Sequence, residues 1–227
     1  MTYNIRNGRG WDRRVDLGRI AAVIEAFDPH VVAMQEVDLD HARSRNVDQA
    51  TELATRLNMT PHYGPYIDGH ADKHGIATLT NLPILTTRHL ALAGRPHRLR
   101  SEPRCALVTR VAHGAGHLDI VNTHLSMMPH ERPGQVETLT LALDQDELVV
   151  MGDLNCTVSS RPFRALCGTL RPAISSGRSW PALLPLVRLD HILVRGALSV
   201  VRAGIWTGGP ARQASDHLPV IAELDHR

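Results

Sequence analysis

The stretch VVMGDLNCT, residues 149–157, is an apolar run that ends abruptly in Gly-Asp-Leu-Asn. Val149, Val150 and Met151 read as a buried strand, and Asp153 and Asn155 stand two residues apart where that strand leaves the core. Asp, Asn and Gly are turn formers, so a turn accounts for the local composition. Strand ends are also where rigid backbone meets solvent, and binding and catalytic groups concentrate there. Whether the same ending recurs elsewhere in the chain separates the two readings.

It does recur. VVAMQE (31–36) ends in Gln35-Glu36, and DIVNTH (119–124) ends in Asn122-Thr123-His124. RLDHIL (188–193) carries Asp190 at its start, ASDHLPV (214–220) has Asp216-His217 just ahead of a strand, and TYNI (2–5) puts Asn4 in the first strand. Singly, each is a cap, a turn or a hydrogen-bonded polar group. Together they would bring carboxylates and carboxamides to one place, where they repel unless a cation sits among them. Glu36, Asp153, Asp216, Asn4 and Asn155 are hard oxygen donors, the set that suits Mg²⁺. Zinc would call for clustered His or Cys, and no HExxH or cysteine set is present. His124 and His217 then read as acid/base or oxyanion-stabilising groups.

The chain has 227 residues, enough for one large domain with a substantial core. Its 43% hydrophobic and 21% charged residues place it among ordinary globular proteins. No apolar run reaches transmembrane length, and no signal peptide is read at the N-terminus. MTYNIRNGRG (1–10) looks like the second half of a strand, so a few upstream residues are expected to be missing. Cys105, Cys156 and Cys167 show no CxxC spacing, which suggests neither a disulfide framework nor a thiolate site. Reduced thiols fit a cytoplasmic protein. Net charge is only +2, so the molecule as a whole is not a strong polyanion binder. Lys73 is the only lysine, and arginine gathers in RNGRGWDRR (Arg6, Arg9, Arg13, Arg14) and RPHRLRSEPR (Arg95, Arg98, Arg100, Arg104). Arginine is the better bidentate phosphate partner, although a solvated surface explains such loops equally well.

Leu17, Ile20, Ala21, Ile24 and Phe27 repeat at helical spacing, and Pro29 ends that helix. Ala50, Leu53, Ala54 and Leu57 form a second stripe after Asp48, and Val136, Leu139 and Leu143 a third. Strands are predicted at 31–37, 75–80, 105–111, 117–125, 147–153, 189–194 and 218–224. Plain residue matching shows no internal repeat, and 156–188, with four prolines, reads as a short helix plus long loops. Helices mix with strands joined by short loops, which fits a layered α/β domain with mixed sheets rather than pure βαβ winding.

The ordered set TYNI, MQEV (34–37), GIATLTNLPI (75–84), NTHL (122–125), GDLN (152–155), LDHIL (189–193) and SDHLPV (215–220) resembles the endonuclease/exonuclease/phosphatase superfamily. That is the deoxyribonuclease-I-like fold, and the small bacterial members are the nearest in look. The motifs run through nearly the whole chain, and their order is far more specific than any one of them. The resemblance implies a single domain over residues 1–227: a four-layer α/β/β/α sandwich, two mixed β-sheets face to face with helices outside. It implies hydrolysis of phosphoric esters with Mg²⁺ or Mn²⁺. Glu36 would be the main metal ligand, with Asn4 and Asp216 nearby. Asp153 would orient or deprotonate the attacking water, and Asn155 would hold the water or the phosphate. His217, paired with Asp190, would bind the scissile phosphate, and His124 would donate to a non-bridging oxygen. Arg104, Asn81 and Glu102 are carried over as substrate-side residues. Asn81 stands where arginine is common in the family, and Glu102 where an acidic residue supports the His124 region.

The resemblance leaves the ester open. LVRLDHIL lacks the Trp-Cys and the Arg of inositol 5-phosphatases, and TYNI is not the opening of the repair nucleases. Stacking aromatics for a single strand are scarce at 4%, though Trp11, Tyr63, Tyr66 and Trp180 are placed in loops. WPALLPL (180–186) is either an apolar rim suited to a phospholipid or a packed loop. The expected activity is that of a phosphodiesterase on nucleic acid, a phospholipid or a small diester. A phosphomonoesterase and an inert phosphate-binding member are the alternatives. No protein partner is inferred.

Overall fold

A computed structural model describes residues 1–66, 73–94 and 102–226. Arg95, Arg98 and Arg100, which the sequence concentrates ahead of Arg104, lie outside the described residues. Twelve strands run in chain order: β1 Thr2–Asn4, β2 Val31–Leu39, β3 Thr60–Pro65, β4 Lys73–Thr80, β5 Ile84–Leu92, β6 Arg104–His113, β7 Gly116–His124, β8 Leu148–Asp153, β9 Arg171–Pro172, β10 Asp190–Arg195, β11 Leu198–Ile205 and β12 Val220–His226. The helices are α1 Leu17–Glu25, α2 Gln49–Leu57, α3 Arg132–Ala142, α4 Arg161–Leu166 and α5 Ala211–Ala214.

The strands form two six-stranded sheets, ordered β11-β12-β1-β2-β4-β3 and β5-β6-β7-β8-β10-β9. Each sheet has one parallel pair at its centre, β1 with β2 and β7 with β8, and every other neighbour is antiparallel. A parallel pair needs a crossover, and α1 and α3 supply one each. The two sheets therefore repeat one topology although the residues do not.

Burial follows from that arrangement. Strand β8 is buried along its whole length, because it is covered on both faces and central in its sheet. Strands β5 and β11 are edge strands with mostly exposed or half-exposed residues. They carry no clean alternation, which is why the sequence does not announce them, and β3 is likewise an edge strand, bounded by Pro61 and Pro65. Tyr63 lies in β3 rather than in a loop.

Helices α1, α2 and α5 cover the outer face of the first sheet, where Tyr3, Ile20, Ile24, Met34, Leu53 and Ala214 share a core. Helices α3 and α4 cover the second sheet over Val121, Leu139, Val150 and Phe163. Between the sheets lie Ala33, Ile120, Met151, Ile192 and Val220. This is the α/β/β/α sandwich. Asp16 and Asp48 cap α1 and α2 by accepting from Arg19 N and Thr51 N at 3.1 and 3.0 Å. Helix α1 stops at Glu25, ahead of Pro29, as Asp28 turns left-handed at φ +55°.

Two strand-end groups turn inward instead of toward a site. Gln35 Nε2 donates to Asn122 Oδ1 at 2.9 Å, and Asn122 Nδ2 donates to Met34 O and Ala77 O at 3.2 and 2.9 Å. These buried amides bridge the two sheets from inside the core. Among the described residues, no helix is long and apolar enough to cross a membrane.

Candidate active site

The C-terminal ends of the two parallel pairs meet at one edge of the sandwich. Asn4 pairs in register with Gln35, and His124 with Asp153, so each sheet delivers two chain ends there. Gly152 makes the second delivery possible: a Cβ at that position would stand 1.8 Å from Thr123 O. A β-bulge interrupts β2 between Gln35 and Val37, and Glu36 sits in it at φ +56°. A left-handed non-glycine residue costs on the order of 1–3 kcal/mol and persists where its surroundings over-determine it. Asn7 Nδ2 contributes to that hold, donating to Glu36 O at 3.1 Å.

Asn4 ties the two sheets' carboxylates together. Its Nδ2 donates to Glu36 Oε1 at 2.9 Å and to Asp153 Oδ2 at 3.0 Å, while its Oδ1 accepts from Arg6 N at 3.0 Å. Asp153 Oδ1 accepts from Asn155 N at 2.9 Å. His217 Nδ1 lies 2.9 Å from Asp190 Oδ2, and its Nε2 lies 3.8 Å from Asp153 Oδ2. Ser179 Oγ donates to the same Asp190 oxygen at 2.5 Å. Asn4, Glu36, Asp153, Asn155, Asp190, His124 and His217 thus form one connected cluster. Asp216 joins its rim, with Arg6 Nε 3.5 Å from its carboxylate.

The electrostatics divide the two histidines. Burial by itself would lower the His217 pKa, but Asp190, Asp153 and Asp216 outweigh it and raise it to about 10. His217 is therefore an imidazolium at neutral pH. Burial pushes the Asp153 carboxyl up, Asp190 adds to this, and the charge of His217 pulls it back. Burial holds His124 well below the ordinary histidine range, with Arg104, His74 and His217 acting in the same direction. His124 is neutral, and its network fixes the tautomer. Asn155 Nδ2 donates to Leu125 O at 2.9 Å and to His124 Nε2 at 3.0 Å, so the proton sits on Nδ1, where the Tyr66 hydroxyl accepts it at 2.7 Å. The resemblance casts His124 as a donor; here its Nε2 accepts.

Other expectations fare unevenly. Arg104 is 5% exposed, its guanidinium carbon 4.8 Å from the centre of the Tyr66 ring. Its Nε and Nη1 are buried without a hydrogen-bond partner among the described residues. Glu102 is exposed and pairs with Arg104 Nη2 at 3.0 Å, so it reaches His124 only through Arg104 and Tyr66. Asn81 is not brought to the cluster. It stands exposed beyond Thr80, at the opposite end of β4 from the site, with its N–H on His30 O at 3.2 Å. Tyr66, Ser179 and Ser215, whose Oγ donates to Asn4 O at 2.7 Å, escape sequence reasoning as members of the site. Ser215 lies inside SDHLPV and was within reach; nothing in the sequence points to Ser179.

A divalent cation fits this donor set. Glu36, Asp153, Asp190 and Asp216 gather more carboxylate than the neighbouring cations offset, and Asp190 Oδ1 is buried without a partner among the described residues. Asp153, Asp190 and His217 offer ligand atoms within 4.8 Å of one another. Glu36 is half-buried whereas Asp153 and Asp190 are buried, so its carboxylate is the most accessible of the three. Carboxylates and a carboxamide oxygen are what Mg²⁺ or Mn²⁺ takes.

The sequence profile of the Endonuclease/Exonuclease/phosphatase family matches residues 1–217. The Escherichia coli protein YbhP, itself uncharacterized, is 25% identical over 249 aligned residues covering 99% of this chain and 94% of its own. A conserved protein of unknown function from Enterococcus faecalis superposes with a TM-score of 0.82 at 20% identity, over 100% of this chain and 98% of its own. The mannosyl-6-phosphatase of Bacteroides thetaiotaomicron does so with a TM-score of 0.79 at 18% identity, over 99% and 98% of the two chains. At those identities the solved structures support the fold alone. The family match over nearly the whole chain, on this sandwich and with these motifs at one edge of it, makes the protein a member of the endonuclease/exonuclease/phosphatase family.

Proposed function

We propose that the protein is a Mg²⁺- or Mn²⁺-dependent hydrolase that cleaves phosphoric diesters by in-line attack of water. The carrying observation is Asn4, whose one amide nitrogen bonds both Glu36 and Asp153. It locks a cation-binding carboxylate from one sheet to a water-orienting carboxylate from the other.

Glu36, with Asn4 and Asp216, would hold the cation, which when bound supplies positive charge to a phosphoryl oxygen. His217, kept charged by Asp190, donates through Nε2 to a non-bridging oxygen of the scissile phosphate. Asp153 accepts the proton of the attacking water as the new P–O bond forms. The bond to the leaving oxygen breaks, and that oxygen takes up a proton from solvent water, while Asp153 later returns its proton to solvent. Arg104, stacked on Tyr66 and paired with Glu102 through Nη2, adds positive charge beside Glu36 and Asp153. His124 and Tyr66 act behind Asn155, orienting its amide.

Nicking of supercoiled plasmid in Mg²⁺ tests this, with bis(p-nitrophenyl) phosphate and p-nitrophenyl phosphate as small diester and monoester. Diester cleavage should disappear with EDTA and fall about 10²–10⁴-fold in His217→Ala. Cleavage of the monoester alone would replace the diesterase reading with a phosphomonoesterase.

A further inference from the structure

Within WPALLPL (180–186), Ala182 alone is buried. Trp180, Leu183, Leu184 and Leu186 are between 38% and 70% exposed. The stretch is a held hairpin rather than a loose coil. Trp180 and Val187 bridge, with Trp180 N on Val187 O at 3.0 Å and Leu186 N on Trp180 O at 2.8 Å. Its backbone bonds therefore hold the leucines out in water, a costly arrangement unless something apolar meets them.

The hairpin is rooted in the active site. Ala182 N donates to Asp216 O at 2.7 Å, Leu218 N donates to Ser179 O at 2.8 Å, and Ser179 Oγ holds Asp190. On its other flank Leu186 shares a surface cleft with Thr157 and Val158, which follow Asn155 in the chain. Further apolar side chains stand exposed on neighbouring segments. Met127 comes three residues after His124, Val158 three after Asn155, and Trp11 N bonds Gln213 O just ahead of Asp216. With the hairpin, they make seven of the ten exposed large apolar side chains among the described residues, all on segments that leave the catalytic edge. Of the other three, Leu85 near the start of β5 and Leu141 at the end of α3 lie toward the opposite edge, and Val201 is on the outer strand β11. Arg9, Arg13 and Arg14 are exposed around Trp11, and exposed Arg178 stands two residues before Trp180.

A leucine tip with tryptophans and flanking arginines matches an anionic bilayer surface. Leucines enter the acyl boundary, tryptophan sits at headgroup level, and arginine meets lipid phosphate. A nucleic-acid track would instead set aromatic platforms along a basic groove, where leucines have no partner. We propose that this rim docks the protein on an anionic phospholipid surface and sets the active-site edge against the headgroup phosphodiesters. The lipid as substrate rests on the phosphodiesterase reading; the docking does not.

Flotation of the full chain with vesicles of phosphatidylcholine, alone or mixed with phosphatidylglycerol, reads the docking. Wild type is expected to float with the mixed vesicles, and the double variant Leu183→Ser, Leu184→Ser to partition about tenfold less. Both leucines are exposed, so the variant should keep the wild-type Tm. Absence of flotation with the mixed vesicles overturns the proposal. So does equal flotation of the double variant, which would leave only the arginines at work. A wild-type dimer in light scattering that the double variant splits also overturns it, because a second copy would then cover the rim. The second arm follows the mixed vesicles by phosphorus NMR in Mg²⁺, beside cleavage of bis(p-nitrophenyl) phosphate. The double variant should lose lipid cleavage to the same extent as flotation while keeping the soluble diester. Equal loss on both substrates overturns delivery by the rim, and cleavage of the soluble diester with intact lipid overturns the lipid as substrate. If wild type floats but cleaves neither diester, the hydrolase reading fails and the docking stands.

Discussion

At the scale of single residues, the site is built by neighbours that restrict what each polar group can do. Asp190 fixes His217 by one nitrogen and leaves Nε2 to face the pocket. Tyr66 does the same for His124 on the other side of the cluster, accepting the Nδ1 proton. Tyr66→Phe removes that acceptor and leaves a buried N–H unpaired. It should destabilise the protein by about 1–3 kcal/mol in urea unfolding. It should also lower kcat more than it raises KM, because Asn155 loses its fixed partner. An unchanged kcat would place Tyr66 outside the working part of the site. Sequence inspection gave Tyr66 as one aromatic among several, since nothing local says which imidazole a tyrosine will meet across the fold. Asn81 errs the other way. It follows a family motif closely in sequence, yet the Ile76–Thr80 part of β4 separates it from Glu36.

At the scale of elements, β10 and α4 meet through His191. It is 1% exposed, its ring centroid is 4.5 Å from that of Phe163, and its Nε2 bonds Cys156 O at 2.9 Å. Burial lowers its pKa to about 4. The unfolded chain takes up a proton near pH 6.5, whereas the folded protein refuses it until about pH 4. The stability associated with neutral His191 is therefore complete above pH 6.5 and is lost as pH falls toward 4, to an extent of about 3 kcal/mol. His191→Gln keeps a donor for Cys156 O and should flatten the decline of Tm across that window. An equally steep decline in the variant would assign the acid sensitivity to other groups.

Elements also explain which strands the sequence discloses. The buried central strands β2, β8 and β10 read directly from their apolar runs. The edge strands β3, β5 and β11 do not, because one side of each faces solvent and its residues answer to pairing rather than to burial.

At the scale of the whole molecule, the two sheets must hold a fixed spacing for Glu36 and Asp153 to share one Asn4. The Gln35–Asn122 bridge helps set that spacing from inside the core. Asn122→Ala removes one of three acceptors of Gln35 Nε2, which keeps Thr2 Oγ1 and Ala33 O, strips Met34 O and Ala77 O of the Asn122 donor, and opens space between the sheets. A loss of about 1–3 kcal/mol in urea unfolding is expected, together with weaker activity from a looser site. A fully active variant with lost stability would uncouple the bridge from the site. Cation binding should be visible on the same scale. Mg²⁺ at a hundred times its Kd should stabilise the fold by about 2.7 kcal/mol, read as a rise in Tm that EDTA reverses and Glu36→Gln abolishes. A rise that survives Glu36→Gln would move the cation to the Asp153, Asp190 and His217 trio.

The sequence by itself determined the alternation of buried strands with amphipathic helices, the family motifs, and the types of side chain held at strand ends. Those are properties of short stretches, written as periodicity and composition. Only the tertiary structure decided that one edge of the sandwich collects Asn4, Glu36, Asp153 and His217, and that Gln35 and Asn122 turn into the core. It also decided that Asn81 stands at the far end and that WPALLPL exposes its leucines. These facts depend on which residues distant in sequence become neighbours, and on how much water is left around each side chain. Both are set by the pairing of strands and the packing of sheets, which no local pattern encodes.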